Sequence, residues 1–221
     1  MTHKPAASGD KDVSPSQRPP GQAQTLATEI VAGTAQPGLD HYVRGLVDPK
    51  ESTTVLAAKV VEEVANLKPE LLAPHIERLV TGLGSERPRV AQCSAHTLPI
   101  LARVAPAKVA KHLPTLQASF GSASEIARDG LVRTFVSLCL ASVTYQKRLI
   151  EVFELALREA DAKALVRWVE SILPALKGEP YAQARTVVEH RLNEPELPRP
   201  IAQRVAELLG VKLRAIPTDR K

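Results

Sequence analysis

Taken in steps of 37 residues, the apolar positions of this chain fall into columns. Tyr42, Leu79, Leu116 and Phe153 form one; Leu46, Leu83, Phe120 and Leu157 form a second; Val61, Leu98, Phe135, Ile172 and Leu209 form a third. Ala58, Ala95, Val132 and Val169 make a fourth, and Val64, Leu101, Leu138 and Ala175 a fifth. Positions 58, 61 and 64 share one face of a single helix. Small residues alternate with large ones across these columns, as interdigitating layers require. A period of this size with two helical patterns per unit predicts an all-α fold, a right-handed α-solenoid of about five helical hairpins, each burying its apolar face against its neighbours.

Turn residues mark out the helices. A short amphipathic stretch over 25–32 precedes Gly33 and the breaker Gln36-Pro37-Gly38, and is expected to lid the first repeat. The pairs that follow are 39–47 with 52–66, 69–83 with 88–104, 108–120 with 124–141, 145–160 with 161–176, and 181–193 with 200–209. Pro88 stands at the favoured first helical position. Residues 1–24 carry Pro5, Pro15, Pro19 and Pro20 and no apolar period, so a disordered tail is expected there. Gly210 reads as a helix stop, leaving a solenoid over 25–210 and a basic, flexible tail over 211–221.

Several segments resemble the HEAT family of helical repeats. Leu72-Ala73-Pro74-His75-Ile76 and Leu113-Pro114-Thr115-Leu116 place a kinking proline in first helices, and Pro88-Arg89-Val90-Ala91 is similar to that family's turn-Pro-x-Val start of a second helix. The likeness covers about 39–209; it departs from the family where the turn Asp occurs only as Asp48 and where the turn at Gly121 lacks the proline. The resemblance implies a curved scaffold that holds another macromolecule on a concave face lined by second helices.

Composition agrees with helix-on-helix packing: 44% of the 221 residues are hydrophobic but only 3% aromatic, so Leu, Val, Ile and Ala must build the core. No apolar run approaches the roughly 20 residues of a membrane span, and the N-terminus has no apolar signal segment, so a cytoplasmic location without membrane contact is expected. Cys93 and Cys139 sit inside apolar helical patterns and read as buried free thiols.

Charge adds a candidate surface. Of the net +5, the two tails account for most, and the solenoid itself carries only +1. Its distribution is uneven: residues 85–148 hold nine basic against three acidic side chains, a net of +6, between flanks of −3 and −2. Arg89, His96 and Arg103 recur every seven residues and so drift by about 20° per step along one helix. Arg133 stacks on His96 from the next repeat, Lys59 from the repeat before, and Arg128 lies in the same basic region. These six residues predict a basic ridge on the second helices, suited to an acidic protein partner. A solvated face is the plain alternative, and phosphate contact with nucleic acid is the other, handicapped by the near-neutral solenoid and the scarcity of aromatics.

Catalytic and metal constellations are not evident, and no cofactor is expected. His75 and His112, one repeat apart, would stand roughly 9–10 Å from each other with no third ligand. Glu62-Glu63 and Glu151 with Glu154 fit the outward sides of amphipathic helices. Gly82 and Gly84 read as a helix stop, and no phosphate-binding Gly-rich motif occurs. Alkyl-purine DNA glycosylases of HEAT architecture use tryptophans and a catalytic Asp. Here the one tryptophan, Trp168, falls in the column of Ala57, Ser94 and Leu131, and Asp129 has no tryptophan one turn before it. A non-enzymatic scaffold is therefore the expectation.

Overall fold

The computed structural model describes residues 21–213. The expected tails lie outside these residues except at their inner ends, where the structure differs from expectation. Helix α1 spans Gln22–Ala32, so residues 22–24 are helical; Val211, assigned to the other tail, packs against the core.

The remaining helices are α2 (Leu39–Gly45), α3 (Glu51–Leu67), α4 (Ile76–Gly82), α5 (Pro88–Val104), α6 (Pro106–Ala110), α7 (Leu113–Ser119), α8 (Glu125–Ala141), α9 (Val143–Glu159), α10 (Ala162–Ala175), α11 (Gly178–Arg191) and α12 (Arg199–Leu209). A 3₁₀ helix over Pro69–His75 leads into α4. The second helices α3, α5, α8, α10 and α12 each start 37 residues after the one before, at Glu51, Pro88, Glu125, Ala162 and Arg199. They pack in chain order, α3 on α5, α5 on α8, α8 on α10 and α10 on α12. Every residue of the five apolar columns is buried, none more than 6% exposed.

Local chemistry explains the helix boundaries. The Asp161 carboxylate accepts from the Lys163 and Ala164 amides at 2.8 Å and caps α10, and Ser124 caps α8 by accepting from the Ala127 amide. Gly33 and Gly210 end α1 and α12 in the left-handed conformation, at φ 77° and 66°. Two first helices are broken rather than continuous. Pro74 has no N–H to give an α-helical turn, and the segment before it tightens to 3₁₀ geometry; Pro114 sits in the first turn of α7, after a break from α6.

Bridges between neighbouring units fix their stacking. Gln146, 2% exposed, donates to the Cys139 carbonyl at the end of α8 and accepts from the Lys177 amide before α11. Arg191 on α11 reaches back to the end of α9, donating to the carbonyls of Leu157, Arg158 and Ala160. Arg87 does the same in the first units, donating to the Asp48 carbonyl and to Thr54 Oγ1. Gln146 and Arg191 thereby satisfy carbonyls that the ends of α8 and α9 leave without an intrahelical partner, and Arg87 ties down the loop between α2 and α3.

Candidate functional site

Four consecutive second helices line one groove of about 740 Å³. Helix α3 contributes Glu62, Glu63 and Asn66; α5 contributes Arg89, Gln92 and His96; α8 contributes Glu125, Ile126, Asp129 and Arg133; α10 contributes Arg167. Helical spacing selects them. Residues 89, 92 and 96 on α5 share a face, as do 125, 129 and 133 on α8, and 92 with 129 and 96 with 133 are in register across the two helices.

The basic side chains of this groove are engaged by carboxylates. Arg89 meets Glu62 end-on, Nη1 to Oε1 at 2.7 Å and Nη2 to Oε2 at 2.5 Å, with both side chains about one-fifth exposed. The Arg133 Nε lies 3.1 Å from Asp129 Oδ2, and its Nη2 donates to the Ala95 carbonyl at 3.2 Å. Arg167 approaches the other Asp129 oxygen at 3.7 Å, and the Trp168 indole N–H donates to that same oxygen at 3.2 Å. His96 Nε2 stands 3.4 Å from Asn66 Oδ1. Counted together, the groove presents four carboxylates to three guanidiniums, so it is polar and charge-balanced rather than a basic ridge.

Of the six residues that the sequence placed on that ridge, the structure brings Arg89, His96 and Arg133 into the groove. Lys59 borders an adjoining recess, formed with the start of α1 and sharing Glu62, Glu63 and Arg89 with the groove. Arg128 turns away: it donates to the Gly121 carbonyl at 2.6 Å, pairs with Glu159 and lies 5.6 Å from the Phe120 ring centroid. Arg103 is exposed in the last turn of α5, outside both recesses. Sequence reasoning passed over Glu62, Asp129 and Arg167 as parts of a site. The Asp129–Arg133 spacing of four was a signal for one ion pair, whereas Glu62–Arg89 and Asp129–Arg167 join different repeats and have no local signature.

The remaining titratable candidates are structural. Cys93 and Cys139 are free thiols, and burial is the main cause that pushes each up to about 12, so neither is an ionised nucleophile near neutrality. His75 Nε2 lies 3.2 Å from Asp40 Oδ1 and anchors the first helix of one unit to that of the unit before. Trp168 is 4% exposed and its ring stands 6.2 Å from Phe120, a core residue with one polar edge on Asp129. Among the described residues no three metal-ligating side chains converge, and no helix is long and apolar enough to cross a membrane.

No family profile and no curated protein matches the sequence. Solved structures do match. A computationally designed armadillo repeat protein for modular peptide recognition aligns over 86% of this chain and 90% of its own, with a TM-score of 0.63 at 16% identity. A second designed armadillo repeat protein aligns over 85% and 90%, with a TM-score of 0.60 at 19% identity. A third, in complex with the peptide (KR)4, aligns over 85% and 87%, with a TM-score of 0.61 at 18% identity. The first helices broken at Pro74 and Pro114 give their units three helical segments rather than two. The chain is thus an all-α, armadillo-like helical-repeat solenoid.

Proposed function

We propose that this chain is a non-enzymatic scaffold, built of about five HEAT-like repeats, that holds a segment of a protein partner along the groove of its second helices. The observation that carries this reading is the groove itself, a polar channel crossing four helices whose arginines are already held by Glu62 and Asp129. Preorganised side chains lose less conformational entropy when a ligand arrives. Arg133 and Arg167 are about half exposed and retain unspent donors beside Asp129, and the Asn66 and Gln92 amides suit a peptide backbone. Two of the similar folds were made for, or hold, peptides, which supports the same use here.

An acidic partner is not what this groove favours, because its arginines already face Glu62 and Asp129. The same carboxylates oppose nucleic-acid phosphates, so a protein segment is the better ligand. The non-enzymatic reading is supported by the un-ionised thiols and by the engagement of Asp129 with three donors. Affinity capture from native extract, with and without nuclease, tests the proposal. A protein retained by the wild-type chain after nuclease treatment and lost on Arg133→Glu with Arg167→Glu is the expected result; a ligand that disappears with nuclease contradicts it.

A further inference from the structure

Helices α3, α5 and α8 all end on one edge of the solenoid, and three of the large apolar residues that the structure leaves exposed are gathered there. Leu67 closes α3 and is 51% exposed, Val104 closes α5 at the equivalent position, and Leu140 in the last turn of α8 is 67% exposed. Val143, 60% exposed, opens α9 beside them. Cations share this edge. Arg103 adjoins Val104, Lys108 follows in α6, and Lys147 lies one turn beyond Val143; all three are exposed and form no ion pair among the described residues. The positive charge counted in residues 85–148 is therefore neutralised in the groove and left free on the edge.

We propose that this edge is a second docking surface, independent of the groove, and that its occupant is an acidic amphipathic helix of a protein partner. Charge complementarity selects the acidic character, since the unpaired cations flank the apolar row. Geometry selects the helix. Packed helices stand roughly 8–10 Å apart, and residues seven apart on an α-helix rise about 10.5 Å, so apolar side chains at heptad spacing meet Leu67 and Val104 at equivalent positions and then Leu140, one residue before the equivalent Ala141.

A display library of random peptides of roughly 16 residues, about 24 Å as helices, selected on the full chain, tests the proposal. Enriched sequences combine Asp and Glu with Leu, Ile or Phe. Their binding weakens about tenfold with Arg103→Glu and Lys147→Glu together, and likewise with Val104→Ser and Leu140→Ser, while Arg133→Glu with Arg167→Glu leaves it unchanged. Circular dichroism establishes that each variant is folded. The proposal is overturned by the absence of acidic, apolar enrichment, or by enriched peptides that respond to the groove variant and not to the edge variants. Retention on phosphatidylserine vesicles or duplex DNA through the same edge residues, without peptide enrichment, overturns it equally. The two sets of variants keep failure of the edge distinct from failure of the groove.

Discussion

Gly130 on α8 lies against Ala95 on α5 so closely that a Cβ at position 130 would stand 2.4 Å from the Ala95 Cβ and 2.5 Å from its Cα. The obstruction includes backbone, which cannot swing aside as a flexible side chain can. Two second helices therefore touch main chain to main chain at this point, and the same approach lets Arg133 reach the Ala95 carbonyl. Gly130→Ala should lower stability by about 2 kcal/mol despite the better helix propensity of alanine, because the helices must separate to admit the methyl group. Denaturant midpoints of the two chains check this; a midpoint raised by the substitution would show that the contact is loose.

The Arg191 guanidinium substitutes for the missing turn after α9, and its planar fork serves three carbonyls that an ammonium could not serve together. Both Arg191→Ala and Arg191→Lys should be destabilising by about 1–3 kcal/mol, with lysine recovering little of the loss. Amide exchange localises the effect: the last turn of α9 opens first in the variants.

Both thiols are held neutral by the fold, with Cys93 and Cys139 raised from 9.0 to about 12. The unfolded chain ionises them above the ordinary thiol range while the folded chain does not, so their stabilising contribution is intact below about pH 9 and declines as pH rises toward 12. The expected slope is about 1.4 kcal/mol per pH unit for each thiol in that window. The measurement is the difference between the wild-type chain and Cys93→Ala with Cys139→Ala across alkaline pH; parallel curves would mean that the thiols are accessible. At neutral pH a thiol reagent should label neither cysteine until the protein unfolds.

The Glu62–Arg89 pair joins α3 to α5 but is partly solvated on both sides, so its net worth is modest. A double-mutant cycle with Glu62→Gln and Arg89→Ala should give a coupling of about 1 kcal/mol, weakened by salt. A coupling near zero would mean that the pair is an incidental contact.

What was legible in the sequence follows from what is local. The columns through Val61, Leu98 and Phe135 reflect one helix stacking on equivalent neighbours, and such a pattern survives in the linear order of residues. Pro74 and Pro114 signalled kinks, though not that the first would become 3₁₀ geometry. The groove was legible only in part. Arg128 and Arg133 are five residues apart, roughly 140° around a helix, so the two could never have shared one ridge. Neutralisation of the arginines was hidden because Glu62 and Arg89 meet across repeats, and a residue's charge says nothing of the partner packed against it. The column of Ala57, Ser94 and Leu131 points to a core or half-buried place for Trp168, yet its indole N–H on Asp129 depends on a neighbouring helix 39 positions away.

A photo-crosslinking amino acid at Gln92 decides whether a protein segment lies along the second helices. Gln92 is exposed in the groove, and Glu151, exposed on the first helix α9, serves as the comparison site. In nuclease-treated native extract a protein adduct is expected at position 92 and none at 151. Equal labelling at both positions, or an adduct at 92 that vanishes with nuclease, would contradict it.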